Sequence, residues 1–302
     1  MNLLRSFTRP YYVHRPSQIW RRLKFEFQKS SLTRLVELPW GLRMRANPGD
    51  DLGHALLTVG INDLMVSECL FRLTDPGETA VDVGANVGYT TSILCTRAGP
   101  SGRVFSFEPH PVLHQELRHH LDAWKTQRKP LAEVTIIHRA VSDQAGEAVL
   151  NEPGSFEANK GRSSLEARPD STDDGRELRV MTVSLDEQFA DAKKIDVLKV
   201  DVEGHEQQVF RGAKDLLSSG RVRDVLFEEF APYPAETHRT LEQAGFHLFV
   251  VAERLAGPVL VAPSADWKPP VHSPPNYVGT RDLERLRRKF AQRGWQCLSA
   301  KV

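Results

Sequence analysis

The sequence predicts an α/β protein: a mostly parallel sheet flanked by helices, with a closing antiparallel hairpin. Three observations point there. Short β-rich runs alternate with helix-like stretches from residue 79 onward. One run, Ile195–Val200 (IDVLKV), is apolar enough to be buried on both faces. A glycine-bearing turn at 84–88 joins a strand to a helix. Such alternation gives parallel strands with crossover helices, and ligands of these sheets bind at the carboxyl ends of the strands, where the strand order reverses.

The elements follow in order. Residues 18–28 (QIWRRLKFEFQ) space Ile19, Leu23 and Phe27 four apart, a one-face helix with arginines beside it. Such a helix packs on its own domain or lies on a membrane surface, and the first reading is favoured. Residues 41–47 read as a short strand ended by Asn47-Pro48-Gly49-Asp50, and 61–73 as a helix ended by Asp75-Pro76-Gly77. The regular core then runs strand 79–83, turn 84–88, helix 89–97, strand 103–107, helix 110–127 and strand 134–138. Strand pieces EAVL and ELRVMTVS flank a polar loop at 153–176, long enough to be functional or mobile. Strand 195–200, helix 203–218, strand 222–227, helix 234–244 and a hairpin of 246–251 with 258–262 complete it. Residues 263–276, with Pro263, Pro269, Pro270, Pro274 and Pro275, read as a linker before a charged helix near 280–293. The expected division is a basic extension at 1–46, a catalytic domain at 47–262 and a linker with a basic helix at 263–302.

Composition bounds the function. The chain of 302 residues is 40% hydrophobic and 26% charged, an ordinary globular balance, and no stretch nears the roughly 20 apolar residues of a membrane span. Arg5, Arg9 and Pro10 interrupt the N-terminus, which is read as neither a signal peptide nor an anchor, and a cytoplasmic protein is expected. Cys69, Cys95 and Cys297 have no metal or disulfide spacing. The net charge of +1 hides an asymmetry. Residues 1–45 carry ten Lys/Arg against Glu26 and Glu37, residues 281–302 carry seven against Asp282 and Glu284, and the middle is acidic. Basic ends can meet an anionic partner or dock on the acidic middle, and the second reading is favoured.

The turn Asp82-Val83-Gly84-Ala85-Asn86-Val87-Gly88 carries the chemistry. A dinucleotide turn needs glycines at its first, third and sixth positions, and here the last two are Asn86 and Tyr89. Glycines one and five, with an acid two residues before the first, suit S-adenosylmethionine. On this reading the turn's N–H groups bind its carboxylate, and Asp82 orients its cationic amino end. Glu108, ending the next strand, accepts both ribose hydroxyls. Pro109 turns the chain under the adenine, Val141 packs on it, and Ser142 lies near its edge. After the fourth strand, Asp201 and Glu203, with Glu206 near them, stand on the same rim, where acids can take a proton from an attacking hydroxyl, hold a divalent metal or bind substrate hydroxyls. No second acid pair at fixed spacing supports a metal cage, so no metal site is expected. His110, His114 and His138 are read as structural.

Together VDVGANVGYTT, FSFEP, RAVSD and IDVLKVDVEGHEQQVFRGA resemble the FkbM family of S-adenosylmethionine-dependent methyltransferases over about residues 47–262. The resemblance implies a class I methyltransferase (Rossmann-like) fold and O-methylation of hydroxyls on sugars, glycans or secondary metabolites. It places Asp82, Gly84, Asn86 and Gly88 in the cofactor turn, Glu108 on the ribose, and Asp201–Glu203 beside the transferred methyl. It extends to neither basic end. Two other readings stand beside it: a nucleic-acid-modifying methyltransferase that tracks phosphates with its basic ends, which the charge alone supports weakly, and a non-catalytic cofactor-binding module.

Overall fold

The computed structural model describes residues 9–28, 32–166, 175–266 and 276–299. Helices α1 (Pro10–Val13) and α2 (Ser17–Gln28) precede a hairpin of β1 (Arg34–Glu37) and β2 (Arg43–Ala46), then α3 (Asp51–Thr58) and α4 (Leu64–Leu73). The main sheet begins with β3 (Thr79–Val83), α5 (Tyr89–Ala98), β4 (Arg103–Phe107), α6 (Pro111–Thr126) and β5 (Glu133–Ile137). A side sheet follows, of β6 (Ala140–Val141), β7 (Gly146–Glu152) and β8 (Arg176–Val183). After α7 (Leu185–Gln188) the chain returns through β9 (Ile195–Val200), α8 (Glu206–Arg211), α9 (Lys214–Ser218), β10 (Val222–Glu228) and α10 (Glu236–Gln243). It ends with β11 (His247–Arg254), β12 (Gly257–Val261), β13 (Asn276–Thr280), α11 (Leu283–Ala291) and α12 (Gln296–Ser299).

The main sheet has the order β12-β11-β13-β10-β9-β3-β4-β5. Strands β10, β9, β3, β4 and β5 pair in parallel, whereas β13 runs antiparallel between β10 and β11. This is the class I methyltransferase arrangement: α/β, mostly parallel, with helices on both faces. The chain leaves β3 toward β4 and β5 and later returns on its other side as β9, so the order reverses between β3 and β9. Every residue of β9 is buried, as a strand covered on both faces requires. Val197 belongs to one apolar cluster, and Leu198 and Val200 to the other. Helix α6 shows the same logic at helical period, burying Leu113, Leu117, Leu121 and Trp124, with Pro111 at its first turn.

The structure corrects the sequence reading in two places and adds an observation on a third. First, Asn276-Tyr277, read as the end of a linker, opens β13, whose five residues are all buried. A run buried on both sides carries no alternation to reveal it, and the prolines before it masked the rest; Pro269, Pro270, Pro274 and Pro275 lie outside the described residues. The hairpin of β11 and β12 is present, but β13 lies between it and β10 in the sheet. Second, the helix expected over 203–218 is two short helices, and Glu203 and Gly204 adopt left-handed φ of 58° and 103°. Third, packing crosses both expected boundaries. Trp40, Leu42 and Met44 from the N-terminal part and Trp295, Cys297 and Leu298 from the C-terminal part share one core cluster with Leu70 and Ile93.

A buried ion pair fixes the C-terminal segment. Arg72 and Glu68, one helical turn apart on α4, are fully buried and bond at 2.6 Å. Arg72 donates to the carbonyls of Lys289, Gln292 and Gly294, and Glu68 accepts the backbone N–H groups of Gln296 and Cys297. Removing one partner strands the other charge in the core, a loss of about 3–5 kcal/mol. Arg72→Ala should therefore lower the urea-unfolding free energy by about that amount. The double variant Arg72→Met/Glu68→Gln should lose less than the single one in the same measurement.

Candidate active site

The loops after β3 and β9 touch at the switch point. A Cβ on Gly84, whose φ is +75°, would lie 1.9 Å from the Asp201 carbonyl oxygen, so no side chain fits there. Gly88, at φ +95°, would drive a Cβ to 2.4 Å from Leu117 of α6. These two contacts explain why the turn carries glycine at its first and fifth positions. Asn86 between them holds φ +50°, a conformation Asn tolerates better than most residues, and its Oδ1 accepts from the Val87 N–H at 2.7 Å.

The turn's backbone N–H groups are all engaged within the protein. Gly84 and Ala85 donate to the Phe107 carbonyl, Asn86 to Glu108, Val87 to Asn86 and Gly88 to Ala85. The expectation that they bind a ligand carboxylate is not what the geometry provides. Those of Gly84, Ala85 and Asn86 hold the turn on the end of β4, and those of Val87 and Gly88 close the turn on itself.

Lys199 binds the two loops together. Its Nζ donates to the carbonyls of Gly84 at 2.7 Å and Val83 at 3.2 Å, and lies 3.3 Å from Asp82 and 3.5 Å from Asp201. Burial opposes its charge, but the neighbouring Asp82 and Asp201 carboxylates prevail and raise its pKa above the ordinary lysine value. Asp82 is fully buried and accepts from the hydroxyls of Thr90 and Thr91 at 2.8 and 2.7 Å. It lies beneath the turn rather than on the cleft wall. The sequence reading passed over Lys199, although a cation in an otherwise apolar strand needs buried partners and is itself a signal.

A cleft of about 1040 Å³ opens above this junction. Of the residues singled out in the sequence, Gly84, Asn86, Glu108, Pro109, Val141, Asp201 and Glu203 line it, and Asp82, Gly88 and Ser142 do not. Glu108 accepts the N–H groups of Asn86 and His110, each at 2.8 Å, and burial pushes its carboxyl up to about 7. Ser142 instead bonds the His205 ring at 2.9 Å, and His205 bonds Glu166 at 2.7 Å on its other nitrogen. Glu206 is buried, accepts the N–H groups of Val202 and Gly204, and is likewise pushed by burial to about 7. It braces the acidic loop from below. Glu228, at the end of β10, also lines the cleft. Burial and then the nearby Asp201 carboxylate hold its pKa well above the usual carboxylate range. Among the described residues no group of three or more His, Cys, Asp or Glu is arranged to hold a metal ion.

The polar loop after β7 forms the roof. Lys160, Gly161 and Arg162 line the cleft, and a Cβ on Gly161 would lie 3.6 Å from the Asn86 amide nitrogen. Phe156 stacks on His110 at 4.4 Å, Lys160 pairs with Glu116, and the Ser164 hydroxyl donates to the Glu203 carbonyl at 2.8 Å. The roof thus touches the acidic loop directly. These partners lie between 39 and 46 residues apart in sequence, and no local pattern announces them; the loop's residues 167–174 lie outside the described ones.

Comparison with known proteins agrees with this arrangement. The Methyltransferase FkbM domain family matches residues 82–248, more than half of the chain. The chain belongs to the FkbM methyltransferase family. Among curated relatives, the Hexuronic acid methyltransferase AglP of Haloferax volcanii is 30% identical over 191 residues, covering 61% of this chain and 71% of that protein. The Methyltransferase sdnD of Sordaria araneosa is 31% identical over 195 residues, covering 56% and 73%. Similar solved structures include a Methyltransferase FkbM from Methylobacillus flagellatus, with a TM-score of 0.40, 12% identity, and coverage of 76% of this chain but 52% of that one. Aeropyrum pernix fibrillarin, solved with bound S-adenosyl-L-methionine, has a TM-score of 0.41 and 15% identity over 82% of this chain and 94% of its own.

Membership makes this FkbM chain an S-adenosylmethionine-dependent methyltransferase. The cleft fits that cofactor. Each Glu108 oxygen accepts one main-chain bond and keeps capacity for another, which two vicinal hydroxyls can use. Ala140, Val141 and Leu150 supply an apolar wall farther along the cleft.

Proposed function

We propose that the enzyme methylates a hydroxyl oxygen on a sugar, glycan or polar secondary metabolite. The observation that carries this reading is the convergence of Asp201, Glu203 and Glu228 on the cleft, on the same rim as the cofactor turn. Acids there suit an acceptor rich in hydroxyls. That one relative is named a hexuronic acid methyltransferase supports a sugar acceptor.

In this reading Glu108 accepts the ribose hydroxyls, Pro109 and Val141 hold the adenine, and Gly84 and Asn86 shape the space for the methionine portion. Asp82, Gly88 and Ser142 act through what they hold: Lys199, Leu117 and His205. Bound S-adenosylmethionine supplies a sulfonium-activated methyl group open to a single displacement. Asp201 or Glu203 would take the proton of the acceptor hydroxyl, and the cofactor would give up its methyl group to that oxygen by loss of the sulfur–methyl bond, leaving as S-adenosylhomocysteine. Glu228, protonated at neutral pH, donates a hydrogen bond that orients the acceptor. The roof excludes water, and holding the acceptor in line supplies much of the rate.

Methyl transfer from labelled cofactor to a panel of sugars, uronic acids and hydroxylated metabolites tests the reading. Glu203→Gln is expected to bind the cofactor normally, and Asp201→Asn, which keeps an acceptor oxygen near Lys199, more weakly but measurably. At least one should lose about 10²–10⁴-fold in kcat, the usual worth of general-base assistance. Product methylated only on nitrogen or carbon, or full kcat in both variants, would refute it.

Glu108 makes the binding pH-dependent. Its folded pKa is raised, so the free protein carries a proton there that the unfolded chain has lost. The associated stability is present below the ordinary carboxyl range and is lost as pH rises toward about 7. Ribose hydroxyls donate to the ionised form and pull the proton off. Cofactor affinity by calorimetry should therefore tighten by up to about tenfold per pH unit as pH rises toward 7 and then level off. Glu108→Gln should bind more weakly with a flattened profile, and a wild-type slope in that variant would remove Glu108 from the ribose.

A further inference from the structure

Helix α2 covers the molecule with one face and leaves the other bare. On its inner side Phe25 meets His54 of α3 edge-on, with ring centroids 5.4 Å apart, and Gln18 is buried. On the outer side Trp20 is 76% and Phe27 85% exposed, with Lys24 exposed between them. Positions 20, 24 and 27 are four and three apart and therefore form one stripe. The enrichment extends beyond the helix. Five of the eleven large apolar side chains exposed among the described residues lie between Val13 and Leu35. Scattered exposed apolar residues need no explanation, but a cluster of them marks a contact surface.

Charge selects the partner. The patch lies within the segment that carries ten Lys/Arg against two acids, and Arg9, Lys24, Arg43 and Arg45 are exposed. One of the two acids, Glu37, is already paired with Arg43 at 3.6 Å. Aromatic rings set among cations on an amphipathic helix suit the interface of an anionic bilayer, where rings enter the headgroup layer and cations meet phosphates. Elements next to α2 reach the cleft. Leu35 stands directly across the β1–β2 ladder from Arg45, and Arg45 and Thr33 line the cleft. Helix α2 also packs on α3, whose Asp51, Leu52 and Gly53 line it too.

We propose that the outer face of α2 docks this enzyme on anionic phospholipid membrane, with Trp20 and Phe27 as the inserting residues and Lys24 with the flanking arginines as the charge contact.

The test is co-sedimentation of the full chain with vesicles of phosphatidylcholine alone and of phosphatidylcholine mixed with phosphatidylglycerol. The expected result is binding to the mixed vesicles, little to the neutral ones, and release at high salt. Trp20→Ala/Phe27→Ala and, separately, Lys24→Glu should each cut the bound fraction several-fold, while cofactor affinity and melting temperature stay at wild-type values. Absence of binding, equal binding to neutral vesicles, or wild-type binding by the double variant would overturn the proposal. So would conversion of a dimer to a monomer by the double variant in sedimentation velocity, which assigns the face to a second copy, or loss of RNA binding in that variant without vesicle binding in the wild type.

Discussion

The active-site region depends on one buried cation. Lys199 sits where the strand order reverses, and its ammonium is shared among two backbone carbonyls of the glycine turn and the carboxylates of Asp82 and Asp201. Burying an ammonium is costly unless its partners are in place, and these partners come from β3, the turn, and β9 with the loop after it. The turn that shapes the cofactor space and the loop that carries the acids are therefore one electrostatic unit. The close approach of Gly84 to the Asp201 carbonyl is the steric side of the same junction.

A second layer of support comes from farther along the chain. Glu206 holds the acidic loop through the N–H groups of Val202 and Gly204. The roof holds it through Ser164 and through Glu166, which bonds His205. Glu203 is the residue with left-handed φ in the middle of this loop, and its carbonyl is the one that Ser164 grips. A non-glycine residue keeps that conformation only where its surroundings enforce it. The roof, the acidic loop and the cofactor turn are thus joined by direct contacts.

Much of this was legible in the sequence because it is local. Asp82, Gly84, Gly88 and Glu108 have a spacing that the strand–turn–helix geometry imposes, and the Asp201 carbonyl against Gly84 and the Leu117 side chain against Gly88 explain why both positions carry glycine. Lys199 was visible as a charge in an apolar strand with Asp201 two residues on, yet its other partners, Asp82, Val83 and Gly84, lie more than a hundred residues away. The full use of the turn's N–H groups depends on the Phe107 carbonyl and Glu108, across a strand pair that no motif describes. Strand β13 escaped because burial on both sides leaves five residues without a period, next to prolines that suggest a linker. The grip of Ser164 on Glu203, and the Ser142–His205–Glu166 chain, join segments that only the folded chain brings together.

The most direct test of the central claim is the S-adenosylmethionine affinity of Lys199→Met, measured by calorimetry on protein shown by circular dichroism to be folded, with Asp82→Asn/Lys199→Met as a second variant that leaves no buried carboxylate unpaired at Asp82. If Lys199 joins the turn and the acidic loop into one unit, both variants lose about tenfold or more in cofactor affinity although residue 199 is not expected to touch the cofactor. Wild-type affinity in a folded variant would contradict the account.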